Sequence, residues 1–215
     1  GVLSVALLLA FGLYFLLWAF FDMRLAVLGW LVGALALASV YATSMIYAQL
    51  KTIPRWNSPF TSILYLAYSL AGSFLLYLAL KVCLATVWNA EVWIALMLTG
   101  MATIAYFLYQ SFAANRLLSE AGTPETATGL GFMGKVSLLE SPHSSPNYLM
   151  KEMVFQVGRR KALAISKIAL VFGFIVPLVL LLIAAMTNAY ALVCLAFVSH
   201  LVGVLASRWL FFAEA

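Results

Sequence analysis

Residues 163–186 read LAISKIALVFGFIVPLVLLLIAAM, and Lys167 is the one ionisable side chain among them. A helix needs about 20 mostly apolar residues to cross the hydrocarbon layer of a bilayer. This run is long enough, and it is apolar on every face rather than on alternate residues, which excludes the in–out pattern of a membrane barrel. Composition extends the reading to the whole chain: 215 residues are 66% hydrophobic and 9% charged, with a mean hydropathy of +1.07. A soluble domain carries a far larger polar and charged share. The bilayer is therefore the solvent, and helices satisfy the backbone within it.

Six stretches have this character, at residues 2–21, 25–50, 62–86, 92–113, 163–186 and 189–212. The expected fold is an all-α, polytopic transmembrane bundle. Residues 1–113 hold four spans, 114–161 form an extramembrane loop with short amphipathic helices, and 162–215 hold two more. The first stretch has no basic residues ahead of it and is too long for a signal-peptide core, so it reads as a retained span. Gly1 falls almost on that span, and the chain stops at Ala215 without a polar tail. The expectation is a fragment of a longer membrane protein that lacks its first helices.

Small residues mark expected close approaches between helices: the GxxxG pair Gly29 and Gly33, then Gly72, Gly100, Gly173 and Gly203. Pro177 is expected to kink its span. Cys83 and Cys194 each lie in an apolar run, far apart and in no metal or haem motif, and read as apolar filler. There is no Walker loop and no GxGxxG ahead of a helix.

The loop 114–161 is a different material, rich in charge and punctuated by Gly, Pro and Ser. Thr123-Pro124-Glu125 reads as a helix start, and Asn147–Phe155 as an amphipathic helix with Leu149, Met153 and Val154 on one face. Alternating spans put the 51–61 connection, this loop and the chain end on one side. That side collects Lys51, Arg55, Arg116, Lys135, Lys151, Arg159, Arg160, Lys161, Lys167 and Arg208, against Arg24 and Lys81 opposite. The positive-inside rule makes it cytoplasmic, although basic residues also gather where a soluble partner docks.

Polar groups at membrane depth are costly, about 2.5–3.5 kcal/mol for a charge at mid-helix, so each needs a reason. His200, Ser207 and Glu214 recur every seven residues on the last span, with Phe211 between them and Arg208 a quarter-turn away. One reading is a proton- or quinol-facing stripe; the other is interhelical hydrogen bonding plus interfacial charges. Tyr47 leads into the connection YAQLKTIPRWNSPFTS, residues 47–62. It has the chemistry to hydrogen-bond a quinone carbonyl while Trp56 or Tyr41 packs on the ring. An aromatic belt at the headgroups is the alternative, and for Trp56 and Trp88 the stronger one. Glu91 with Asn89 is expected to cap the fourth span, and Lys81 to snorkel.

Three segments carry a resemblance. Ile46-Tyr47-Ala48-Gln49-Leu50-Lys51-Thr52-Ile53-Pro54-Arg55-Trp56 resembles the Tyr and Thr-(Ile/Val)-Pro-x-Trp turn of the membrane-anchor subunit of dimethyl sulfoxide reductase, in the polysulfide-reductase-type anchor family. Leu138–Leu149, continuing through Lys151-Glu152-Met153, is similar to a loop in one branch of that family. Ser207-Arg208-Trp209-Leu210-Phe211-Phe212 is similar to its last-helix Gly/Ser-Arg-x-x-Phe-Phe/Tyr pattern.

The resemblance implies eight spans, of which this chain holds the last six. It also implies a bacterial cytoplasmic (inner) membrane setting, menaquinol as bound substrate, no haem or covalent cofactor in the anchor, and two soluble partners. Those partners are an iron–sulfur electron-transfer subunit and a molybdopterin catalytic subunit. Tyr47 and Arg208 match the family pattern and, with His200 of the stripe, are the expected quinol-facing residues. Lys51, Arg55, Trp56, His143, Arg159 and Arg160 are the expected partner-docking set. The family's His and Glu at the quinol site lie on spans ahead of Gly1. A secondary transporter or proton-translocating protein is the rival function; no internal repeat supports it, and Pro177 is its one helix breaker.

Overall fold

The computed structural model describes residues 1–51, 53–119, 125, 128–137 and 160–214, and for 114–119 the helical backbone alone. His143, Arg159, the expected helix at 147–155 and the loop segment 138–153 lie outside the described residues.

Six helices long and apolar enough to cross a membrane follow one another: α1 (Val2–Phe21), α2 (Ala26–Ala48), α3 (Pro59–Cys83), α4 (Asn89–Ser119, apolar as far as Ala113), α5 (Ala162–Thr187) and α6 (Ala191–Ala213). A single 3₁₀ turn, Gly131–Met133, lies between α4 and α5 among the described residues. The protein is a multi-pass membrane protein, and the described residues contain no strand.

The helices begin and end where local chemistry permits. α3 starts three residues earlier than the apolar run, because Ser58 accepts a hydrogen bond from the Phe60 N–H and Pro59 occupies the first turn. At α4, Glu91 reaches back to the Trp88 N–H at 3.1 Å, a capping-box arrangement. Asn89 contributes nothing to that cap: its side-chain oxygen is buried without a partner. Glu91 also holds Lys81 of α3 at 2.7 Å, so Lys81 is paired across helices rather than simply snorkelling.

α3, α4, α5 and α6 pack on one another, and α2 leans on α3 with α1 outside it. α1 buries no residue and α2 buries Ser44 alone; their apolar faces are exposed. The core has two halves. Toward the 51–58 connection it is aromatic, with Tyr68, Tyr106, Tyr109, Phe174 and Phe211 around Leu64 and small residues. Toward the opposite end it is aliphatic, built from Leu75, Leu78, Leu181, Val92 and Val193 with Ala95, Ala184, Ala185 and Ala196.

Between the halves, α5 is interrupted. Val171–Ile175 form a π-turn, followed by Pro177, so the expected disturbance arrives as a wider turn. Pro177 has no N–H to offer the preceding turn, and a π-turn also displaces carbonyls from the helical ladder. The Phe172 carbonyl accepts instead from Ser199 Oγ at 2.8 Å, and the Gly173 carbonyl from His200 Nδ1 at 2.7 Å. This works because α5 and α6 touch backbone to backbone. A Cβ on Gly203 would fall inside the Gly173 backbone, whereas a Cβ on Gly173 would meet Gly203 at 3.4 Å. The other expected approaches divide. Gly29 faces Tyr14 and Gly72 faces His200, but Gly33 and Gly100 have nothing within 4 Å.

Candidate functional site

The described residues of the connection between α2 and α3, Lys51 and 53–58, form a folded cap. Its backbone turns on Leu50 O, Ile53 O and Trp56 O, the Asn57 amide donates to Ala48 O at 2.7 Å, and Thr61 Oγ1 donates to Trp56 O at 2.8 Å. These bonds aim two side chains inward. The Trp56 indole N–H donates to the Phe211 carbonyl at 2.8 Å, and its ring stacks on Phe211 at 5.2 Å with planes 9° apart. The Arg55 guanidinium donates to Gln110 Oε1 at 2.9 Å and forms an ion pair with Glu214. The Tyr109 hydroxyl donates to the Arg55 carbonyl at 3.3 Å. The connection, the end of α4 and the end of α6 therefore meet at one end of the bundle.

Of the expected docking set, Arg55 and Trp56 are engaged within the chain, the Arg55 side chain being 12% exposed and Trp56 packing on Phe211. Lys51 and Arg160 are exposed at the same end.

The expected quinol-facing residues are brought onto one continuous line, through two tyrosines that no sequence motif singles out. Tyr47 stacks with Tyr65 at 5.9 Å and meets Trp56, Phe211 and Phe212 edge-on. Arg208 lies 4.3 Å from the Tyr65 ring centre, 5.0 Å from Tyr68 and 4.9 Å from Phe211. Tyr68 shares a 3.0 Å hydrogen bond with Ser207 and meets the His200 ring edge-on at 6.5 Å. The order is Tyr47, Tyr65, Arg208, Tyr68, His200, running from the capped end toward the middle of the bundle. His200 lies eight residues before Arg208 on α6, roughly 12 Å deeper at 1.5 Å per residue.

Electrostatics make this line unusual. All three guanidinium nitrogens of Arg208 are buried and make no well-formed hydrogen bond among the described residues. Three ring faces offer cation–π attraction of about 0.5–2 kcal/mol each, which does not replace acceptors for a fixed fork of donors. His200 must donate through Nδ1, since its partner is a carbonyl; in the neutral ring Nε2 is then a bare acceptor, and it too is buried and unpartnered. Each member of the seven-residue stripe thus bonds to a distant segment: His200 to α5, Ser207 to α3, and Glu214 to Arg55 of the connection. Tyr65 and Tyr68, spaced i, i+3 on α3, could have been found from the sequence, because tyrosines a turn or more inside a span are too deep for a headgroup belt.

Three clefts adjoin this region. One of about 580 Å³ between α2 and α3 is apolar, and the hydroxyls at its edge, Ser69 and Ser73, are satisfied by their own helix. A second of about 530 Å³ lies beside Asn57 and Ser58. A third of about 320 Å³ opens beside the Arg55–Glu214 pair.

No protein-family profile matches the chain, and no solved structure does. The chain is similar to a sulfite dehydrogenase subunit of Allochromatium vinosum, with 28% identity over 193 residues, 87% of this chain. It spans 57% of that relative's length.

Proposed function

We propose that this chain is the membrane anchor of an oxidoreductase complex in a bacterial cytoplasmic membrane. In this reading it binds menaquinol at its capped end and passes the electrons to a soluble iron–sulfur subunit. A molybdopterin catalytic subunit of the dimethyl sulfoxide reductase type completes the complex. The observation that carries the reading is Arg208, a buried cation whose three nitrogens make no well-formed hydrogen bond and lie among the rings and hydroxyls of Tyr65 and Tyr68. A quinol or quinone offers what that site lacks: a flat ring to stack on Tyr47 and Tyr65, and an oxygen to accept from the guanidinium. A charge-assisted hydrogen bond of this kind contributes about 1.5–3 kcal/mol.

The similarity to a protein named for sulfite dehydrogenase supports an oxidoreductase complex and leaves the direction of flow to the partner. Quinol oxidation and quinone reduction use the same contacts, and a dehydrogenase partner would reverse the current. Of the expected docking residues, Lys51 and Arg160 are exposed at the capped end, with Lys161 exposed beside them, and they suit an acidic docking face. The rival transporter reading would use the break in α5 as a moving part, but Ser199 and His200 tie both freed carbonyls to α6.

The test is quenching of a fluorescent quinol analogue by membranes carrying the intact complex. Arg208→Leu is expected to weaken binding roughly 10- to 100-fold, the equivalent of one charged hydrogen bond. Tyr47→Phe, which keeps the ring, is expected to weaken it severalfold at most. Unchanged affinity in Arg208→Leu would remove the site from this line of residues.

A further inference from the structure

Most cations of the bundle have a carboxylate of their own. Arg24 lies 3.8 Å from Asp22, Lys81 is paired with Glu91, and Arg55 with Glu214. Lys161 and Lys167, at the start of α5, are exposed and make no ion pair among the described residues. Lys167 is the harder of the two to account for, because it lies inside the apolar span Ala162–Thr187. It stands five residues past Ala162, roughly 7.5 Å along the helix at 1.5 Å per residue. Leu163 and Ala164, one turn before it, are exposed as well.

We propose that this face of α5 binds an anionic phospholipid, with Lys167 and Lys161 holding the headgroup phosphate. A helical side chain leans toward the N-terminus of its own helix, which for α5 is the capped end. The stem of Lys167 therefore runs back over Leu163 and Ala164 and brings its ammonium toward the level of Lys161. Six residues of helix place the two lysines about a third of a turn apart around the axis, so they flank an anion rather than shadow each other. Beyond them Ile168, Val171, Phe172 and Ile175 are exposed and recur at three- and four-residue spacings. An acyl chain attached to that phosphate has a continuous apolar track along α5.

Depth separates a lipid from a protein partner. A soluble subunit that meets Lys51 and Arg160 at the rim stays above the span and gives Lys167 no counter-charge. A phospholipid phosphate sits where the ammonium emerges. A zwitterionic headgroup carries the same phosphate together with a cation that the two lysines repel, so net negative charge decides the preference.

The test is titration of the full-length protein in neutral detergent with phosphatidylglycerol and, separately, phosphatidylcholine, read by native mass spectrometry. The wild type is expected to bind one phosphatidylglycerol ahead of phosphatidylcholine. Loss of one basic side chain beside an anionic lipid weakens binding about fivefold. Lys167→Met is therefore expected to show that loss, and the double variant with Lys161→Met about 25-fold, with phosphatidylcholine unmoved. Methionine suits a lipid-facing position, so folding is not at stake. Lys167→Arg is expected to keep the preference, and Lys51→Met, off α5, to leave it unchanged. Equal binding of the two lipids by the wild type, or a preference that survives the double variant, would overturn the site. Release of a soluble subunit by Lys167→Met with the lipid preference intact would overturn it too, by making Lys167 a protein contact.

Discussion

The two ends of this bundle each contain an ion pair between segments distant in the chain, but they are built differently. Lys81 and Glu91 sit over an aliphatic half-core whose alanines let α3, α4, α5 and α6 close on each other. Their bonds are complete: both carboxylate oxygens accept from Lys81, and Glu91 also caps α4. Arg55 and Glu214 sit over an aromatic half-core, where Arg55 Nε has no acceptor and the Arg208 nitrogens below make no well-formed hydrogen bond. In a bilayer, where small-residue packing and satisfied hydrogen bonds already hold helices together, the first end is sufficient for folding. The second carries buried polarity that packing does not require, and this is the physical ground for placing chemistry there.

The contrast can be broken most severely where the halves join. Gly203→Val would drive a side chain into the Gly173 backbone. The folded protein is expected to disappear from the membrane fraction, as checked by monodispersity in detergent, while Gly33→Ala and Gly100→Ala, with open space around them, leave it intact. Next is Glu214→Gln, which strands Arg55 in a mostly buried site. Breaking a buried pair by removing one partner costs about 3–5 kcal/mol, and the 24% exposure of Glu214 places this near 3 kcal/mol, read as lost stability in denaturant or thermal unfolding. His200→Leu removes the donor on the Gly173 carbonyl, and about 1–2 kcal/mol of destabilisation is expected from one orphaned carbonyl. Lys81→Met is expected to be the mildest, shifting thermal unfolding less than Glu214→Gln. If Lys81→Met proved the more damaging, the distinction between the ends would fail.

The sequence carried the spans clearly, because twenty consecutive apolar residues have one cheap conformation in lipid. It read Glu91 as a cap but placed α4 three residues late, because Glu91 bonds back to the Trp88 N–H from the third helical position, and it treated the GxxxG at Gly29 and Gly33 as one contact. Spacing shows which glycines share a face and not which helix, if any, lies against them. The disturbance at Pro177 was legible from one residue, but its repair by Ser199 and His200 was not, since it depends on the Gly173–Gly203 contact across helices. At the site, the stripe His200, Ser207 and Glu214 was visible from its period, and the resemblance pointed to Tyr47 and Arg208. The inward turn of Arg55 and Trp56 was hidden: a basic aromatic connection reads as surface until its partners, Gln110, Phe211 and Glu214, are known to stand beneath it.

The contact between Gly173 and Gly203 has a mechanical corollary. Two rods touching along their spines, and stitched there by Ser199 and His200, cannot roll past each other. They behave as one stiff lever with its fulcrum near mid-depth. A displacement at Glu214 is then expected to reappear as a tilt at the far rim, beside Val193 and Ala185.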